Sequence, residues 1–117
     1  MEQQNHTPVF DLFERQIQKY IKKKRPPVDI RPQLDFGYTY ENYCLEIQEI
    51  RPNWMNKEEK IYLSVAKAQF VKSKNSWKIY WKRSNGKWES YKPQPEVKDL
   101  NEFFKVIDED PMGYFWG

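Results

Sequence analysis

The sequence predicts a single α+β domain in the order α-β-β-β-β-β-α, a five-stranded antiparallel meander carrying both helices on one face. Apolar residues at helical spacing mark a segment near each end of the chain, residues 8–25 and 99–110. Between them apolar and polar residues alternate in short runs, and an Asn-Gly pair separates the last two. Helices set apart from strands along the chain in this way build an α+β domain. A chain of 117 residues holds one such domain, burying about two-thirds of the surface its unfolded form exposes. Leu, Ile and Val number 19 and Phe, Trp and Tyr 20, so the core must be built largely of rings, each able to bury about 150–250 Å².

The first helix has Thr7 as cap, Pro8 at its first position, and Asp11 and Glu14 near its positive end. Phe10, Phe13, Ile17, Tyr20 and Ile21 form its apolar stripe. Lys22-Lys23-Lys24-Arg25 complements the negative end, and Pro26-Pro27 stops it. Two strands follow at 28–37 and 43–51, joined by a loop from Thr39 to Asn42. That register sets Phe36 opposite Leu45 and Leu34 opposite Ile47, and it brings Asp35 opposite Glu46. Two facing carboxylates repel unless a cation lies between them, and Arg31, Lys67 or a divalent metal could supply it.

A third strand spans 61–71 and a fourth 77–83. Asn85-Gly86 is the signature of a two-residue type I′ hairpin and pairs the fourth strand with a fifth, Lys87 to Lys92. In that register Trp77, Ile79, Trp81 and Trp88 face the core, with Ala66 and Ala68 making room for Trp81 and Ile79. The opposite face shows Lys78, Tyr80, Lys82, Glu89 and Tyr91. Asp99 and Glu102 form a capping-box pattern for the second helix, whose stripe is Leu100, Phe103, Phe104 and Ile107. Its last turn, Asp108-Glu109-Asp110, is acidic where the helix dipole prefers cations, and the basic hairpin is the simplest compensation. The apolar tail, Met112 to Gly117, is expected to dock on the body.

The run Trp77-Lys78-Ile79-Tyr80-Trp81-Lys82-Arg83, followed by Asn85-Gly86-Lys87-Trp88, Tyr91 and Pro93, resembles a family of small bacterial proteins defined as a domain of unknown function. The helix ending in Asp110 and the closing Phe115-Trp116-Gly117 are similar to it too. The resemblance implies a bacterial, stand-alone domain and carries no activity, cofactor or site residue.

Several function classes drop out on composition. One cysteine, Cys44, permits no internal disulfide and suits a reducing cytoplasm. With one histidine, His6, a Cys/His zinc site lacks ligands, and His6 lies in a polar leader unsuited to holding catalytic geometry. No Gly-rich phosphate loop is present, the Asn5-His6-Thr7 glycosylation triplet lacks a secretory signal, and no apolar run could cross a membrane. The sequence leans away from an enzyme, and no cofactor is implied.

The net charge of +3 conceals a segregation: residues 60–92 hold nine basic groups and one acidic, while residues 33–59 and 93–117 each hold two basic and six acidic. Either the acidic segments fold beside the basic block, or the block is a binding face. The reading adopted is a cytoplasmic, non-enzymatic binding module. Lys78, Tyr80, Lys82, Arg83, Lys87 and Tyr91 are its candidate ligand-binding residues, and its partner is a protein or a second copy of the chain. A single-stranded nucleic acid or other polyanion is the alternative, with the tyrosines as stacking platforms and Lys67, Lys72, Lys74, Arg83 and Lys87 as phosphate contacts. A metal-dependent hydrolase at Asp35 and Glu46 is the third reading. Its carboxylates are similar to those of nuclease sites, but Gln48 stands where such sites have a lysine.

Overall fold

The computed structural model describes residues 8–117, with side chains from Leu12 onward. His6, Thr7 and the Asn5-His6-Thr7 triplet lie outside the described residues, as does the Phe10 side chain. Helix α1 runs Pro8–Lys24 with Lys22, Lys23 and Lys24 in its last turn. Ile17 and Ile21 are buried, and Phe13 and Tyr20 pack beside them.

The strand expected from residue 28 begins later. Prolines at 26, 27 and 32 deny the segment a run of ladder donors. It winds through turns instead, the Ile30 amide donating to the Pro27 carbonyl (2.9 Å) and the Gln33 amide to the Ile30 carbonyl (2.8 Å). Strand β1 is Asp35–Glu41 and β2 is Cys44–Pro52. The turn between them is Asn42-Tyr43, both with positive φ (51° and 60°), which is type I′ geometry. Tyr40 therefore stands opposite Leu45 and Tyr38 opposite Ile47, while Phe36 faces Glu49. Tyr38 and Tyr40, which the expected loop split apart, pack against the core.

Strand β3, Lys60–Val71, pairs with both β2 and β4, Ser76–Lys82. Ala66 lies opposite Trp81 and Ala68 opposite Ile79, as the small-beside-large pattern requires. The β2–β3 register slips by one between Ile47 and Gln48, leaving Val65 as the extra residue of a bulge. Strand β5, Trp88–Ser90, is short because Pro93 and Pro95 follow. A two-residue strand β6, Glu96–Val97, resumes pairing with β4 at Trp77 and Lys78. The sheet is an antiparallel meander, β1-β2-β3-β4-β5, with β6 also on β4.

The β4–β5 turn departs from expectation by one residue. The Gly86 amide donates to the Arg83 carbonyl (2.8 Å) and the Arg83 amide to the Lys87 carbonyl (2.9 Å). Gly86 alone of the Asn-Gly pair takes positive φ (83°). This is a three-residue loop that ends in a glycine bulge. Lys82 now faces Trp88, Trp81 faces Glu89 and Tyr80 faces Ser90. A slip of one residue moves every side chain of the strand to the other face. Trp88 accordingly joins the lysines, and Tyr91, 2% exposed, enters the core. The tail rings favour this arrangement: Tyr91 packs on Phe115 (centroids 4.8 Å apart) and Trp81 stacks on Tyr114 (4.0 Å).

Helix α2, Leu100–Glu109, opens on Asp99, whose carboxylate accepts from the Glu102 amide (2.9 Å). Leu100, Phe103, Phe104 and Ile107 are buried. The Phe104 ring stacks on Tyr20 of α1 at 4.1 Å. The two helices cover the face that carries Leu45, Ile47, Ala66, Ala68, Trp77 and Ile79. The acidic last turn of α2 is compensated by α1 and by the tail, not by the basic hairpin. Asp108 sits 3.5 Å from Lys24 Nζ and accepts from the Tyr20 hydroxyl. Asp110, left-handed at φ 35°, accepts from the amides of Phe115 and Trp116. With the Trp116 indole donating to the Ile107 carbonyl (2.8 Å), the tail is pinned and Phe115 is buried.

Candidate functional site

The described residues leave the sheet face opposite the two helices uncovered, and cross-strand pairing arranges its side chains in rows. One row reads Thr39, Glu46, Lys67, Tyr80, Ser90, and beside it run Glu41, Cys44, Gln69, Lys78, Glu96. Lys82 and Trp88 form a pair on the far side of Tyr80. The centre of this surface is a cluster of rings and ammonium groups. Lys67 Nζ lies 4.8 Å from the centroid of Tyr80 and 5.1 Å from that of Trp88, and Lys82 Nζ lies 5.0 Å from Trp88. These are cation–π distances. Among the described residues Lys67, Lys78 and Lys82 make no salt bridge. Glu46, the nearest acid in the row, is engaged by the Ser64 hydroxyl (2.7 Å).

Of the residues expected to bind, Lys78, Tyr80 and Lys82 do share this face. Tyr91 does not, being buried beneath the tail, where burial raises its hydroxyl pKa. Arg83 pairs with Glu89 (3.1 Å), which stands opposite Trp81 on the helix side of the sheet. Lys87 lies in the exposed turn. Trp88 is the residue that sequence reasoning missed, and only the loop length hid it.

The carboxylate pair fails on register. Asp35 lies opposite Ile50 and Glu46 opposite Thr39, four ladder positions or about 13 Å away along the strand. Asp35 is held by Arg25 in a bidentate pair, Nε at 2.9 Å and Nη2 at 2.7 Å, and accepts from the Phe36 amide. That hydrogen-bonded guanidinium holds the Asp35 carboxyl below the usual carboxylate range. Among the described residues no group of three His, Cys, Asp or Glu side chains converges to hold a metal ion. The lowered pKa fixes a sign: Asp35 stabilises the fold above its unfolded value, about 3.9, and loses that contribution as pH falls through the native value. Asp35→Asn should lower the urea midpoint at pH 7, and the gap from the parent should close in acid as pH falls through the lowered native value. A gap that persists or widens in acid contradicts the pairing.

The family model described as Domain of unknown function (DUF3024) matches residues 6–117. The chain belongs to the DUF3024 family. The match extends beyond the C-terminal motifs to include α1 and the first three strands of this DUF3024 domain. No curated protein and no solved structure matches it. No helix among the described residues is long and apolar enough to cross a membrane.

Proposed function

We propose that this DUF3024 domain binds single-stranded nucleic acid on the uncovered face of its sheet. The observation that carries the reading is the pairing of Tyr80 and Trp88 with Lys67 and Lys82 on one rigid surface. Bases stack on aromatic platforms for about 1–3 kcal/mol each, with little regard to sequence, while lysines follow the backbone charge. An incoming base takes a ring face, and the flexible lysine that covered it swings to a phosphate. Lys78 extends the basic track along β4. A protein partner on this face is the weaker reading. Interface cores are depleted in lysine, and here the lysines lie at the centre, beside two half-buried rings.

The test is fluorescence anisotropy of a labelled oligothymidylate over a range of salt. Binding should weaken steeply with salt, and Lys67→Ala or Lys82→Ala should each reduce the slope of log K against log salt by about 0.7. No binding at low salt, or binding indifferent to salt and to both substitutions, rejects the proposal.

A further inference from the structure

The basic run that closes α1 sends its side chains three ways. Lys24 goes to the tail, its Nζ 4.2 Å from the Trp116 ring centroid and 3.5 Å from Asp108. Lys23 lines a groove against α2. Lys22 and Arg25 lie on the β1 side, where they share a cleft of about 380 Å³ with Arg31 of the proline-rich segment. Gln18, Ile21 and Tyr38 complete its wall. Its size falls within the range of small-ligand sites, about 300–1,000 Å³.

The helix end accounts for Lys22 and Arg25, because cations there complement the dipole. It does not account for Arg31, which lies beyond the helix. Arg31 is half-buried, and among the described residues it makes no salt bridge. Its Nε donates to the Pro26 carbonyl (2.9 Å), which fixes the plane of the guanidinium and leaves both terminal nitrogens available. The backbone around it is set by Pro26, Pro27 and Pro32, each with φ locked at about −65°. The Leu34 amide, donating to the Ile30 carbonyl (3.1 Å), closes the turn. Arg25 commits Nε and Nη2 to Asp35 and keeps Nη1. Lys22 is exposed and has no partner among the described residues.

The charges do not balance within the cleft. Three cations line it, and the carboxylate in contact with them, Asp35, neutralises Arg25. Asp29 of the same segment is not part of the wall. Glu14 accepts from the Tyr38 hydroxyl, two helical turns or about 12 Å from Lys22. Two positive charges are left over. A phosphomonoester carries about −1.5 to −2 at pH 7 and matches them, whereas a carboxylate supplies one charge. Guanidinium forks also suit phosphoryl oxygens, which they bind two at a time.

We propose that this cleft binds a phosphomonoester. Arg31 and Lys22 hold the phosphoryl oxygens, Arg25 Nη1 adds a third contact, and the organic part lies against Ile21 and Tyr38. The site is on the helix side of the sheet and stands independently of the nucleic-acid reading. An internal nucleic-acid phosphate is a diester with a single charge, so it is not the same ligand.

Isothermal titration at constant ionic strength, with glycerol phosphate, inorganic phosphate and acetate as probes, tests it. Both phosphates should bind with Kd of about 1 mM or tighter, and acetate at least about tenfold more weakly. Arg31→Gln should weaken glycerol phosphate about tenfold or more, with an unchanged circular dichroism spectrum. Lys22→Gln, which breaks no contact within the chain, should weaken it too. Lys67→Ala, on the sheet face, should leave the phosphate affinity as it was. Three results overturn the proposal: no heat from glycerol phosphate at millimolar concentration, acetate binding as well as phosphate, or affinity that survives both Arg31→Gln and Lys22→Gln. A loss on Lys67→Ala equal to that on Arg31→Gln also overturns it, since the phosphate then sits elsewhere.

Discussion

Replacing Trp77 with alanine should destabilise the domain by about 3–5 kcal/mol, the range for a fully buried large aromatic. Trp77 is 1% exposed and joins three parts of the molecule. Its ring meets Phe13 of α1 edge-on at 5.0 Å and Phe70 of β3 at the same distance, and its backbone pairs with Val97 of β6. No neighbouring side chain can collapse into the void without moving the helix or the sheet. Domains of this size are stable by about 5–15 kcal/mol, so the loss takes a large share of the total. Urea midpoints and thermal melting followed by circular dichroism measure it, with a fall in Tm of about 15 °C or more. A loss below about 1 kcal/mol, the size of an ordinary surface substitution, means that this ring does not close the core.

The second large effect is a reciprocal pair. Tyr91→Ala should cost about 3–5 kcal/mol of stability, because the ring is enclosed by Tyr114 and Phe115. Trp88→Ala should leave stability within about 1 kcal/mol and weaken oligonucleotide binding by roughly 5- to 150-fold, the value of one stacked base. With a two-residue Asn85-Gly86 turn the roles would reverse, since Trp88 would be buried and Tyr91 would meet the ligand. Measuring both variants for stability and for binding therefore decides the register and the binding face together.

These two residues also mark where the sequence stops being legible. Long periodic segments could be read directly: α1, α2, β3 and β4 lie where their apolar spacing requires. The alanines opposite Trp81 and Ile79 announce the β3–β4 register through volume alone. Turns are harder, because their geometry is decided by a single φ angle. Asn85-Gly86 satisfies both a two-residue and a three-residue hairpin, as each needs a glycine with positive φ. The choice between them comes from the distant tail rings that Tyr91 and Trp81 pack against. Tyr43 gives no local warning at all, a large side chain with φ 60° in a tight turn. Mistaking its neighbourhood for open loop misplaced β1 and created the false opposition of Asp35 and Glu46. The lysines and Tyr80 of the candidate face were visible from strand alternation, whereas Trp88 was displaced by one turn residue.

Cys44, half-buried on the uncovered face, is the sole thiol of the chain. It stands opposite Gln69, next to the row that holds Lys67 and Tyr80. Burial raises its pKa, so little thiolate forms at neutral pH and alkylation is slow. Any occupant lying across those rows would slow it further. The chain thus contains a native chemical footprint of occupancy, read by mass spectrometry without a label or a substitution.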